Sequence, residues 1–180
     1  FHAFGVFGTS AVTAITAQNT LGVTAIHPVP VPVVEAQIAA VASDLRPLAV
    51  KSGMLASADL VDAVGQAIRI HGLAHYVLDP VMVATSGDRL LEEEAGNAVR
   101  DVLVPLPTLV TPNLPEARIL ANRPIESVED MIDVGRSLVE MGARAALIKG
   151  GHLSEMGELT ETVTDVLVTA GEERMWRRAR

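Results

Sequence analysis

The chain has 180 residues, enough for one domain with a sizeable core, and its hydrophobic content of 49% excludes a disordered acidic chain. Its net charge is −8 and its only basic cluster is RMWRRAR at the end, which argues against a nucleic-acid partner. No apolar run is long enough for a membrane span, and the absence of cysteine excludes disulfides and thiolate metal sites. We therefore expect one cytoplasmic domain over residues 1–180, with no membrane partner.

Both ends of the chain lie inside patterned segments. The first residue, Phe1, opens an apolar stretch, and the last, Arg180, closes the strand-like segment EERMWRRAR. We therefore expect the chain to be a piece of a longer protein.

Short apolar runs alternate with longer amphipathic segments along the chain. Strands of about four to eight residues separated by helices predict βαβ units and a largely parallel sheet covered on both faces. The predicted strands are SAVTAITAQ, GVTAIHPV, LAVKSG, AHYVLDPV, TLVTPN and AALIKGG, followed by an antiparallel hairpin of VTDVLVTAG with ERMWRRA. The predicted helices are Val33 to Leu45, Ala58 to His71, Glu92 to Val104, Pro115 to Ala121 and Val128 to Met141.

Polar residues follow five of the predicted strands. Ligands of open parallel sheets bind beyond the carboxyl ends of the strands, so we expect these five ends to form one rim with a binding function. The ends are Gln18-Asn19-Thr20, Lys51-Ser52-Gly53-Met54, Asp79-Pro80, Thr111-Pro112-Asn113 and Lys149-Gly150-Gly151-His152.

The segment VTPNLPEA has two interpretations. Asn113 is predicted to be the N-cap of a helix, with Glu116 at the third helical position folding back onto the cap. The same residues also present an amide oxygen and a carboxylate above the sheet, and Mg²⁺ prefers oxygen ligands shared with water and substrate phosphates. Both roles can hold at once.

Asp79 and the lysines carry the clearest charge signals. Asp79 ends an apolar strand, where a carboxylate is costly unless a positive or hydrogen-bonding group meets it; a turn at Pro80 is the alternative. Of the 14 basic residues only Lys51 and Lys149 are lysine, and each lies close to glycine. A lysine ammonium is suited to reaching a phosphate, although the placement of two lysines is also explained by coincidence.

The glycines after Lys149 also have two interpretations. The N–H groups of Gly150 and Gly151 can approach an anion closely, and a tight turn explains the same glycines. His152 is expected to be a turn residue or a hydrogen-bonding partner rather than a metal ligand. The sequence contains no Walker A, GxGxxG or GxSxG motif, which argues against P-loop NTPases, ordinary dinucleotide enzymes and α/β hydrolases.

Two further residues suit a heterocyclic ligand. The amide of Gln18 offers a donor and an acceptor to the edge of an amino-substituted ring, and Met54 offers an adaptable apolar surface to its face. The alternatives are a loop position for Gln18 and a core position for Met54.

The motifs TAITAQNT, VKSGML, VLDPVMVATSGDRLL, LVTPNLPEA and LIKGGH occur in this order. This series resembles the hydroxymethylpyrimidine/phosphomethylpyrimidine kinases of thiamine biosynthesis, in the ribokinase-like superfamily, from about Phe4 to Gly171. The resemblance implies a three-layer α/β/α sandwich with a mostly parallel central sheet. It implies ATP-dependent phosphorylation of 4-amino-5-hydroxymethyl-2-methylpyrimidine and its monophosphate, with pyrimidine contacts from Gln18, Met54 and Val81.

The resemblance also implies roles for the charged residues. Asn113, Glu116 and Asp79 would hold Mg²⁺ partly through water, with Asn113 and Glu116 also serving the bound ATP. Asp79 and Lys149 would face the phosphates, with Lys149 countering the charge in transfer. A homodimer is suggested, built on the apolar opening segment or on the hairpin near Val163 to Arg178.

The chain departs from the family pattern at both ends. Such kinases begin with a Gly-Ser-Asp segment that closes over the substrate, and near their C-terminus they carry a Gly-Thr-Gly-Cys-like segment that forms an anion hole. This chain has neither, so we expect these 180 residues alone to be inactive. A vitamin B6 kinase of the same superfamily and a non-catalytic binding domain are the alternatives.

Overall fold

A six-stranded mixed sheet forms the centre of the molecule. The computed structural model describes residues 1–82, 93–151 and 162–179. The sheet has the order β3-β4-β5-β6-β7-β8, with parallel pairing from β3 to β6 and antiparallel pairing in the last two steps. The predicted α/β class, mostly parallel sheet and closing hairpin are therefore confirmed. The strands are Val50–Ser52 (β3), Tyr76–Leu78 (β4), Leu109–Val110 (β5), Ala145–Ile148 (β6), Thr162–Thr169 (β7) and Glu173–Ala179 (β8).

Five α-helices connect the strands within the described residues, and local capping explains where several begin. The Ser57 hydroxyl accepts the backbone N–H of Leu60 at the start of α2, and Ser127 forms a capping box with Asp130 at the start of α5. Residue 92, where the third predicted helix begins, lies outside the described residues. No described helix combines the length and apolar character needed to cross a bilayer. The helices are Val31–Asp44 (α1), Ala58–Ile70 (α2), Glu93–Ala98 (α3, continued by a π-helical turn Val99–Leu103), Leu114–Ala121 (α4) and Val128–Glu140 (α5).

The first two strands form a separate sheet, contrary to prediction. Within the described part of the chain, β1 (Ala14–Asn19) and β2 (Gly22–Pro28) pair only with each other, as an antiparallel hairpin. The side-chain oxygen of Asn19 accepts the backbone N–H groups of Leu21 at 2.8 Å and Gly22 at 3.2 Å, which reverses the chain directly after β1. The prediction that Gln18-Asn19-Thr20 belongs to the rim of the same sheet is therefore wrong. The rim comprises the ends of four strands, β3 to β6.

The fully buried side chains of the central sheet all point to one face. Tyr76, Leu78 and Ile148 are at most 1% exposed, and they pack in one core with residues of α2, α4 and α5. Residues at alternate positions, such as Val77 and Leu147, are only partly buried. Because side chains alternate along a strand, this pattern defines a buried face and a more open face.

The packing of α5 against the sheet generates a stability prediction. A Cβ added to Gly135 would lie 2.5 Å from Cγ2 of Val168, whereas one added to Gly96 in α3 would approach Ile119 only to 3.9 Å. We expect Gly135→Ala to lower the free energy of unfolding by about 1–3 kcal/mol through overpacking. Gly96→Ala, the control, should raise it by up to about 1 kcal/mol through helix propensity. Urea unfolding measures both, and equal stability of the two variants would contradict the packing.

Candidate active site

Asp79 is held between the only two lysines of the chain. Its carboxylate follows β4 and lies 2.7 Å from Nζ of Lys51 and 3.1 Å from Nζ of Lys149, with a different oxygen facing each ammonium. The Asp79 side chain is 18% exposed. Burial opposes its ionisation, but the hydrogen bonds and charges of both lysines outweigh burial and hold the pKa of this carboxyl below its ordinary value. Positive groups thus meet the charge at the end of this apolar strand.

Asn113 and Glu116 form the predicted cap of α4. The Asn113 side-chain oxygen accepts the backbone N–H of Glu116 at 2.9 Å, and Oε2 of Glu116 accepts the backbone N–H of Asn113 at 2.8 Å. This reciprocal pair confirms the capping box. Glu116 is only 2% exposed, so its carboxylate lies inside the protein rather than on the surface.

The surroundings of the buried Glu116 carboxylate disfavour its charged form and raise its pKa. Burial raises its pKa, and the nearby charge of Asp79 adds to that effect. Hydrogen bonds from the backbone N–H groups of Asn113 and Met82, together with the charge of Lys149, oppose the rise without cancelling it. Glu116 therefore lies within electrostatic reach of both Asp79 and Lys149, which makes the three one charged cluster.

Backbone pairing aligns the ends of β5 and β6. The backbone N–H of Lys149 donates to the carbonyl of Pro112 at 2.9 Å, and Asn113 pairs with Lys149 as an isolated parallel bridge. The cap residue of α4 and the lysine therefore stand side by side. Four strand ends contribute to this rim, as expected from parallel pairing.

The N–H of Gly150 is already hydrogen-bonded within the protein and is not free for a ligand anion, contrary to one of the two interpretations. The N–H of Gly150 donates to Oδ1 of Asp165 on β7 at 3.0 Å. A Cβ at Gly150 would also overlap the carbonyl oxygen of Thr164, so close packing explains this glycine. His152 lies outside the described residues.

The three residues predicted to contact a heterocycle lie on two parts of the structure. Met54 and Val81 follow β3 and β4, and both are partly buried against the core. The loops that carry them are neighbours, since a Cβ at Gly53 would lie 4.0 Å from Cγ2 of Val81. Gln18 is exposed on the separate hairpin, whose base is joined to the first loop by a 2.9 Å hydrogen bond from the Thr13 hydroxyl to the Met54 carbonyl.

The oxygen donors at the rim suit a hard divalent cation only in part. Glu116 supplies a buried carboxylate whose charge is incompletely compensated, and Asn113 supplies an amide oxygen; both are donor types that Mg²⁺ accepts. Each oxygen of Asp79 already accepts a lysine N–H. Within residues 1–82, 93–151 and 162–179, no group of three or more His, Cys, Asp or Glu side chains is arranged to hold a metal ion.

Two side-chain contacts at the rim were not predicted from the sequence, that of Lys51 with Asp79 and that of Asp165 with Gly150. Lys51 was noticeable as one of two lysines in an arginine-rich chain, but nothing in its neighbourhood indicated that it reaches Asp79. Asp165 interrupts the apolar alternation of β7, which was the only available signal that it serves Gly150.

Comparison with known proteins gives consistent matches over nearly the whole chain. The sequence model of the family described as phosphomethylpyrimidine kinase matches residues 1–180. A hydroxymethylpyrimidine/phosphomethylpyrimidine kinase of Bacillus subtilis (strain 168) is 44% identical over 165 residues, which cover 92% of this chain and 61% of the relative. The chain thus spans about three fifths of the length of the curated relatives it matches.

Solved structures agree with the fold. The crystal structure of phosphomethylpyrimidine kinase from Clostridium difficile 630 superposes with a TM-score of 0.88 at 37% identity, covering 97% of this chain and 73% of that one. An ADP complex of Bacillus subtilis pyridoxal kinase gives a TM-score of 0.84 at 30% identity, covering 97% of this chain and 65% of that one.

The contact between Gly150 and Thr164 generates a second prediction. We expect Gly150→Ala to lower the free energy of unfolding by about 1–3 kcal/mol, because the added methyl group must displace the backbone of β7. The neighbouring Gly151 is the control, since a Cβ there meets no described atom within 4 Å, and Gly151→Ala should change stability by less than about 0.5 kcal/mol. Denaturant unfolding of both variants tests this, and equal effects would refute the close approach.

The raised pKa of Glu116 generates a pH prediction. Because folding favours the protonated form, the contribution of Glu116 to stability falls as pH rises from the ordinary pKa of about 4.5 to the higher folded value, and is constant above it. Glu116→Gln retains an acceptor for the capping box but does not titrate. We therefore expect the variant to gain stability relative to the wild type as pH rises from about 4 to about 7.

Urea unfolding of both proteins across this pH range measures the difference. Titratable groups remote from Glu116 contribute equally to both proteins and cancel in the comparison. Asp79, whose pKa is lowered below its ordinary value of 3.8, titrates chiefly below this pH range. A difference that does not change with pH would show that Glu116 titrates normally.

Proposed function

The chain belongs to the phosphomethylpyrimidine kinase family, and from that membership we propose that the protein transfers the γ-phosphoryl group of ATP to 4-amino-5-hydroxymethyl-2-methylpyrimidine and then to its monophosphate, as steps of thiamine biosynthesis. The observation that carries the proposal is the convergence of the Lys149–Asp79 ion pair and the Asn113–Glu116 pair at one rim of the sheet. Phosphoryl transfer depends chiefly on positioning and charge stabilisation, and this rim supplies fixed groups of both signs.

Lys149 is proposed to stabilise the charge that develops on the transferred phosphoryl group. Its ammonium group is 3.1 Å from Asp79, which orients it, and its backbone is fixed by pairing with Pro112 and Asn113. The Lys149 side chain is 41% exposed, so it remains accessible to a ligand above the sheet. A cation held in advance in this way avoids reorganisation during transfer.

Glu116 and Asn113 are the residues proposed to hold Mg²⁺. The ion would supply positive charge to the phosphates and so ease the departure of ADP. The buried, incompletely compensated charge of Glu116 supports the assignment, since a cation would relieve it. Asp79 is proposed to act mainly by orienting the two lysines and to reach the ion through water, because both of its oxygens face ammonium groups whose positive charge would repel a cation.

The pyrimidine ring is proposed to bind above the loops after β3 and β4. Met54 and Val81 offer partly buried apolar surface there, suited to the face of a flat ring. Gln18, on the hairpin of β1 and β2, is proposed to form hydrogen bonds to the edge of the ring through its side-chain amide. The hydrogen bond from Thr13 to Met54 supports this arrangement because it anchors that hairpin beside the loop.

We propose that the reaction takes place in the cytoplasm and that its partners are small molecules only.

A homodimer is also proposed, because Phe1, Phe4 and Phe7 are 72–88% exposed in the opening segment and offer apolar surface for a second copy. Sedimentation of the full-length protein tests the dimer, which a monomeric mass at micromolar concentration would contradict.

The kinase proposal is tested with the protein in its full natural length. We expect ATP- and Mg²⁺-dependent formation of the pyrimidine monophosphate and then the diphosphate, followed by mass spectrometry. Lys149→Met should lower kcat by about 10²–10³-fold, as for loss of one donor to a developing negative charge. Arg144→Met is the matched control, because Arg144 precedes β6 where Lys149 follows it, and it should retain wild-type activity.

Two results would contradict the kinase proposal, and a third would contradict the role of Lys149 alone. Turnover of pyridoxal without turnover of the pyrimidine would favour the vitamin B6 kinase alternative, which the similarity to pyridoxal kinase supports. Binding of the pyrimidine without turnover of any acceptor would favour a non-catalytic domain. Equal activity of the Lys149→Met and Arg144→Met variants would remove Lys149 from the reaction.

A further inference from the structure

Lys51 is a charged residue of the rim to which the proposed function gives no contact with a ligand. It belongs to β3, where its position in register with Val77 puts it on the same sheet face as Asp79. Its ammonium group contacts Oδ2 of Asp79 while Lys149 contacts Oδ1, so one carboxylate serves two cations. The three side chains together carry a net charge of about +1 at neutral pH.

This cluster is poorly suited to a purely structural role. The Lys51 side chain is 50% exposed, and an ion pair with one partner so exposed contributes about 0–1 kcal/mol to stability. An ammonium has three N–H donors, and Asp79 is the only acceptor that either lysine has among the described residues. Both lysines therefore retain donors that can serve an anion above the rim.

The two lysines serve different sides of the rim. Lys149 stands beside Asn113, and its charge opposes the rise in the pKa of Glu116. Asn113 and Glu116 are the residues proposed to hold the metal. Lys51 instead begins the segment that leads to Gly53 and Met54, next to Val81, where the pyrimidine is proposed to bind. An anion attached to the pyrimidine would thus meet Lys51 on the acceptor side of the site.

We propose that Lys51 binds the phosphate of a phosphomonoester acceptor and so determines the specificity of the second phosphorylation over the first. This inference rests on the proposed function. The alcohol acceptor has no charge for Lys51 to meet, whereas the monoester carries about −1.5 to −2 charges at pH 7. Asp79 holds the Lys51 ammonium in place beforehand, which reduces the conformational entropy lost on binding.

The chemical step in which Lys51 takes part is a simple exchange of bonds. An oxygen of the bound monoester forms a bond to the γ-phosphorus of ATP as the bond from that phosphorus to the ADP oxygen breaks. The products are the pyrimidine diphosphate and ADP. Lys51 neither gives nor accepts a proton; it binds the acceptor phosphate and offsets repulsion between two anionic reactants.

The test compares both acceptors with the full-length protein and three variants. Lys51→Met should lower kcat/KM for the pyrimidine monophosphate about 10–100-fold more than kcat/KM for the alcohol, mainly through KM, as for loss of a charge-assisted hydrogen bond. Lys51→Arg should restore most of the loss because it retains the charge. Arg177→Met, which removes an exposed cation from β8, is the control and should leave the ratio unchanged.

Calorimetric titration of each acceptor without ATP gives a readout that does not depend on turnover. We expect Lys51→Met to weaken binding of the monophosphate about 10-fold or more and to leave binding of the alcohol within about 2-fold. Equal losses for both acceptors, or no loss for either, would overturn the role of Lys51 while leaving the kinase proposal intact. Wild-type protein that phosphorylates neither pyrimidine would overturn both.

Discussion

Parallel pairing of four short strands is the constraint on which the rest of this structure depends. β3 to β6 are only two to four residues long, yet their alignment delivers an ammonium, a carboxylate, an amide and a second ammonium to one edge. Backbone hydrogen bonds continue past the strands, from Asp79 to Ser52 and from Lys149 to Pro112, so these functional residues are fixed by the main chain as well as by their own contacts. The sheet edge therefore sets the positions of these residues.

Stability and function meet most directly at Glu116. Its carboxylate completes a helix cap, which stabilises α4, but burial of its charge works against folding. A glutamine would cap the helix without that penalty, so capping alone does not explain an acidic residue here. Carboxyl groups whose pKa is raised by burial within a charged cluster are found often at functional sites.

The parts of the site that sequence could predict are those set by local chemistry. The Asn113 cap was readable because both partners lie within three residues, and the helix boundaries were readable from periodicity and caps. Contacts of Asp79 with Lys51 and Lys149 span 28 and 70 residues, so their existence depended on the strand order, and sequence reasoning anticipated only that Asp79 needed a positive partner. The hairpin of β1 and β2 was misassigned because apolar runs look alike in parallel and antiparallel sheets, and only the Asn19 turn distinguishes them. The need for glycine at position 150 could not be predicted either, because Thr164 approaches Gly150 only in the folded chain.

The scarcity of lysine has a chemical consequence. In most proteins a reagent that acylates amines modifies many surface lysines, and the modified positions say little about function. In these 180 residues both lysine side chains form ion pairs with Asp79. Apart from any free amino terminus, the amines that such a reagent can modify here therefore all lie at the rim. Each acylation would replace an ammonium by a neutral amide and release one side of the aspartate. Within these 180 residues, ordinary lysine chemistry is therefore directed to the rim.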